Sequence, residues 1–91
     1  MTAKAQYPKI VVTPPGPKAR ELLKRDADIL TASAVRWYPL VAESGSGCIV
    51  KDVDGNEFID FNSGLVVLAV GHSHPRVVKA IKEQAEKLLH Y

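Results

Sequence analysis

Asp52, Asp54 and Asn56 alternate in the run Asp52-Val53-Asp54-Gly55-Asn56-Glu57, a spacing of oxygen ligands that resembles the start of a calcium-binding loop. Such a loop needs glycine at its sixth position and a bidentate acid at its twelfth, and here those positions are Glu57 and Ser63. The flanking residues are strand-like, so the run reads as a hairpin turn in which Gly55 takes positive φ and Asp54 tolerates the bend. No metal is needed to explain its acids. His72 and His74 are the second set with possible chemistry, as zinc ligands. They stand two apart, Cys48 is distant and His90 is near the end, which gives no recognised tetrahedral spacing. Pro75 suits the first position of a helix, so the imidazoles are read as orienting the preceding loop through hydrogen bonds.

Gly64 to Gly71 encloses six apolar residues without the glycine spacing of a dinucleotide or nucleoside triphosphate cradle. It is either a buried strand or loop between glycine hinges, or an aliphatic wall of a ligand pocket, and the residues alone favour the first. Trp37 and Tyr38 carry large apolar surfaces with polar tips, for which a core or interface role is the default. Cys48, within Cys48-Ile49-Val50, is read as a small buried hydrophobe rather than a nucleophile. No lysine sits in the apolar setting that prepares an amine for Schiff-base chemistry.

The elements that position these residues follow from the pattern. Pro8, Pro14, Pro15 and Pro17 make residues 1–17 an extended arm, in which Ile10-Val11-Val12 is a candidate edge strand. A helix follows from Pro17, with Ala19, Leu22, Leu23, Ala27 and Leu30 on an irregular stripe and an end near Leu30 to Ser33. Val35 to Val41 is expected to be partly extended, and Gly45 and Gly47 to break the chain. Cys48–Lys51 and Phe58–Phe61 then form the hairpin. From Pro75, Val77, Val78, Ile81, Ala85, Leu88 and Leu89 recur at helical spacing. Lys79/Glu83, Lys82/Glu86 and Glu83/Lys87 add three i,i+4 pairs.

The chain has 91 residues, 46% of them apolar, with 12 basic and 10 acidic side chains spread along it. A domain of that size buries only about 60–65% of its extended-chain surface, so its core is marginal. Basic residues neither cluster nor alternate with aromatics, which argues against nucleic-acid binding. The longest apolar run, Leu65 to Val70, is too short to span a bilayer, and no signal-peptide pattern opens the chain. One cysteine excludes an intrachain disulfide framework and favours a cytoplasmic setting.

DVDGNEFIDF, followed by SGLVV and GHSHP, resembles the N-terminal region of the class III (ω-type) aminotransferases, pyridoxal-phosphate enzymes of fold type I. The likeness covers most of the chain, including the arm PKIVVTPPGPKARELLKRD and the tail HPRVVKAIKEQAEKLLHY. Within the class it leans toward archaeal 4-aminobutyrate-aminotransferase-like proteins and broad-substrate amino-acid racemases. It implies an α/β chain, more narrowly an α+β piece: extended arm, helix, small antiparallel sheet, apolar loop, helix. Residues 18–91 then belong to the small domain and the start of the following helix. It also implies that Leu65 lines the substrate site, flanked by Ser63, Gly64 and Val67, with Trp37 and Tyr38 approaching from the N-terminal side.

The family's phosphate-binding turn, ring-stacking aromatic, pyridine-facing aspartate and Schiff-base lysine have no counterpart among these residues. The resemblance therefore implies an N-terminal portion of an amino-acid transaminase, of the 4-aminobutyrate or ornithine type, that is inactive alone and binds no cofactor alone. Its partners would be the remainder of the parent enzyme or a second subunit of a homodimer, with neither nucleic acid nor membrane. A related racemase is the nearest alternative. A stand-alone interaction module is the alternative from a different class.

Overall fold

The computed structural model describes residues 4–31, 33 and 36–91; Val35, at the start of the stretch expected to be extended, lies outside them. The helix α1 spans Pro17–Ile29, and β1 (Ala42–Ser46), β2 (Ile49–Asp52) and β3 (Glu57–Ile59) form an antiparallel sheet in that order. A single irregular turn, α2 (Ser63–Val66), and the helix α3 (Pro75–Ala85) follow. The sequence of arm, helix, small antiparallel sheet, loop and helix is the one expected.

The hairpin tip holds the sheet, the arm and α1 together. Asn56 is fully buried, and its Oδ1 accepts from the Val11 and Val12 amides at 2.8 and 2.9 Å. Its Nδ2 donates to Asp52 Oδ2 at 2.8 Å, while Asp52 Oδ1 accepts from the Asn56 and Asp54 amides. Lys9 and Glu57 exchange two backbone bonds of 2.8 Å. The arm is therefore pinned by a side chain and one bridge, and Ile10-Val11-Val12 is not the edge strand its composition suggested. A strand there would compete with Asn56 for the same two amides.

Asp54 also serves α1. The N-cap, Gly16, has no side chain to offer, and Asp54 reaches across to accept from Lys18 N and Ala19 N, both at 2.9 Å. A Cβ on Gly16 would lie 2.3 Å from Asp54 Cγ, so only glycine admits the carboxylate. The arrangement satisfies two orphan donors and sets a negative charge at the positive end of the helix dipole. In the whole-length protein Asp54→Ala is expected to cost about 1–2 kcal/mol, read as a lower thermal midpoint. Asp54→Asn, which keeps an acceptor, should recover part of it. Equal midpoints for Ala and wild type would refute the capping role.

Three expectations for the sheet need correction. Gly45 does not break the chain but lies inside β1, paired with Val50. Its glycine is needed because a Cβ would stand 2.8 Å from His72 Cγ. Cys48 is exposed in the β1–β2 turn rather than buried. The last strand ends at Ile59, not Phe61, because the Asp60 side chain captures the amides of Asn62 and Ser63 and turns the chain.

His74 is the N-cap of α3, its Nδ1 accepting from Arg76 N at 3.3 Å. Of the three proposed charge pairs, Lys79–Glu83 approaches to 3.8 Å at the surface, a contribution of about 0.3–0.5 kcal/mol. Leu88 and Leu89 lie past the last helical residue, whose end is closed by Leu88 N donating to Gln84 O. The strands pack on one another, but neither long helix lays a face on the sheet. Among the described residues Ala19 is the one buried hydrophobe. No described helix is long and apolar enough to cross a membrane.

Candidate functional site

The connection from β3 to α3 carries the candidate site, and Asp60 organises its start. Asp60 N donates to Cys48 O at 2.7 Å, which fixes the residue against the sheet. Its Oδ1 accepts from Asn62 N and Ser63 N at 2.7 and 2.9 Å, and its Oδ2 accepts from His72 Nε2, 2.5 Å away. Side-chain exposures of 13% for Asp60 and 21% for His72 place the pair mostly out of water. The His72 bond, followed by the two backbone amides, holds the Asp60 carboxyl below the usual carboxylate range.

His72 is itself fixed by its backbone. It exchanges bonds with Gly47, His72 N to Gly47 O at 2.8 Å and Gly47 N to His72 O at 3.1 Å. Gly71 sits at φ +82, where a Cβ would lie 2.8 Å from Gly47 O. Two glycines thus permit the close approach that brings the imidazole under Gly45 and onto Asp60.

Between Asp60 and His72 runs the apolar loop expected, not a strand, and it contains one irregular turn, α2. Ser63, Gly64 and Val66 have φ of 55°, 76° and 59°. A β-branched residue at such a φ is strained and persists where its surroundings over-determine it. Here Val66 N donates to Asn62 O, Val67 N and Leu68 N to Ser63 O, and Asn62 Nδ2 to Gly64 O. The turn presents its aliphatic residues outward: Leu65 is 68% exposed and Val67 is 71% exposed.

Of the six residues expected to line a substrate site, Ser63, Gly64, Leu65 and Val67 lie together on this turn. Gly64 and Tyr38 border one open cavity of about 890 Å³, lined also by Phe58, Asp60, Phe61 and His72. Ser63 borders a second, of about 340 Å³, whose lining also includes Asp60 and His72. Trp37, 79% exposed, stands outside both linings, as do Leu65 and Val67. Neither lining includes a lysine, and every lysine of the chain is exposed. Asp60 escaped notice in the sequence because its role depends on His72, twelve residues on. The signal was there in part: an acid directly after a strand, followed by Asn-Ser-Gly, is a local turn former. The described residues hold no group of three or more metal-ligating side chains, and His72 is committed to Asp60.

A family model described as aminotransferase class-III matches residues 30–91, which include the whole sheet, the turn and α3. The chain belongs to the class III aminotransferase family. It is 50% identical over 86 residues to the alanine/serine racemase of Pyrococcus horikoshii, covering 93% of this chain and 18% of that one. With the 4-aminobutyrate aminotransferase of Escherichia coli it shares 38% over 71 residues, 78% of this chain and 17% of that one. Its fold matches the ornithine aminotransferase of Toxoplasma gondii with a TM-score of 0.67 at 36% identity, covering 77% of this chain and 16% of the other. That structure shows partial PLP occupancy at its active site. The chain thus spans less than a fifth of the length of each.

Proposed function

We propose that these residues form the N-terminal portion of a pyridoxal-phosphate-dependent aminotransferase acting on amino acids of the 4-aminobutyrate or ornithine type. The family match across residues 30–91 carries this reading. In it, residues 1–17 are an arm and residues 18–91 belong to the small domain of a cytoplasmic homodimer. Ser63, Gly64, Leu65 and Val67 form an aliphatic wall on the substrate side, and Trp37 and Tyr38 approach from the N-terminal side. Their work is shape and exclusion of water rather than proton transfer. The residues present do not fit the attachment of the cofactor. Every lysine is exposed, and Asp54 occupies the first amides of α1, where an anion would otherwise sit. No step through the cofactor is therefore assigned to this chain, and its binding falls to the rest of the enzyme.

One observation favours a second reading, an amino-acid racemase: the 50% identity to the Pyrococcus horikoshii protein. Whole-length enzyme incubated with pyridoxal phosphate, 4-aminobutyrate or ornithine, and 2-oxoglutarate separates the two. The transaminase reading expects glutamate in proportion to donor consumed. The racemase reading expects D-alanine from L-alanine without any oxo-acid acceptor, with solvent deuterium at Cα. Absence of both products would remove the family activity from this protein.

A further inference from the structure

We propose that Asp60 and His72 are a pair of positioning residues whose mutual bond locks the Ser63–Val66 turn in the conformation that presents Leu65. The importance of that turn to substrate rests on the reading above; the lock itself rests on geometry. Among the described residues the Asp60 side chain is the one that touches both ends of the device. One of its oxygens holds the amides of Asn62 and Ser63 at the start of the turn, and the other meets His72, where the chain returns to the sheet. Both residues have second anchors on the β1–β2 hairpin, Asp60 through Cys48 O and His72 through Gly47. The turn is thus clamped at both ends to one rigid element.

The need for a clamp is visible in the backbone. Three of the four residues from Ser63 to Val66 have positive φ, and two of those three carry side chains. A free loop would relax such a conformation into extended geometry, since positive φ is unfavourable for Ser63 and most of all for the β-branched Val66. The side-chain bond inside the turn, Asn62 Nδ2 to Gly64 O, is exposed, whereas the bonds of Asp60 to Ser63 N and His72 are partly buried. Without the His72 bond, Oδ1 loses its fixed direction, and the two amides at the head of the turn lose a preorganised acceptor. The turn should then sample other conformations, and Leu65 with it.

Amide hydrogen exchange on the whole-length holoenzyme tests this. His72→Phe keeps the packing against Gly45 and removes the bond. It is expected to speed exchange at Asn62, Ser63 and Val66 by at least tenfold while Asn56 and the middle of α3 are unchanged. His72→Gln, whose amide reaches the position of Nε2, is expected to restore protection. If His72→Phe does not fold, His72→Asn, too short to reach Asp60, carries the same expectation. In the loosened variant KM for a bulky donor should rise more than kcat falls. Unchanged exchange at residues 62–66, or a uniform rise across the chain, would overturn the lock. The dependence on the substrate reading is separable. If Leu65→Ala proves indifferent to substrate while His72→Phe loosens the turn, the wall is wrong and the lock stands.

Discussion

Residues 1–91 produced alone are expected to bind an apolar-sensitive dye strongly, to self-associate, and to unfold without a sharp transition. The exposed surface is 7881 Å², against about 5,200 Å² for an ordinary folded monomer of this mass. Phe61 is 94% exposed and Leu89 is 85% exposed, and α3 packs extensively on no other described element. Hydrogen bonds at the hairpin tip organise the backbone, but hydrogen bonds contribute only about 0.5–1.5 kcal/mol each net of their water partners. They do not replace a core. Analytical ultracentrifugation with a thermal melt at matched concentration is the measurement. A clean monomer with a cooperative midpoint would show that the polar hub suffices, and would contradict the expectation.

Leu65→Ala in the whole enzyme is expected to alter substrate preference. Loss of an aliphatic wall should cost about 1–3 kcal/mol in kcat/KM, roughly 10–200-fold, for a donor that fills it. A donor too short to reach the wall should lose far less. The competing view treats Leu65 as packing, in which case truncation should cost about 2–5 kcal/mol of stability and depress all substrates alike. Rates for a short and a bulky donor, taken beside the thermal midpoint, decide. Equal losses with a large fall in midpoint would mean that Leu65 is core.

The parts of this fold legible in the sequence are those specified locally. The apolar recurrence from Val77 to Ala85 after Pro75 gave α3, and Asp54-Gly55 gave the hairpin. What escaped was specified at a distance. β1, Ala-Glu-Ser-Gly-Ser, has almost no strand character of its own; it is a strand because β2 pairs with it and His72 fills the space over Gly45. The cap of α1 comes from Asp54, 35 or 36 residues away from the amides it serves. At the candidate site the glycines and aliphatics were singled out by resemblance. The conformation of the turn was not, because the Asp60–His72 contact that fixes it has no periodicity to betray it.

The hairpin tip has a consequence for how the chain is made. Arm and α1 leave the ribosome first, yet the groups that hold them, Asp54 and Asn56, emerge 35 to 45 residues later than the amides they bind. At synthesis rates of about 5–20 residues per second, the N-terminal third waits some seconds with its helix uncapped and its arm amides unpaired. That interval is written into the distance from Val11 to Asn56. Within it the nascent arm is open to chaperones and to neighbouring chains on the same message, and a slower codon between Leu40 and Asn56 would prolong the exposure without changing a single residue of the product.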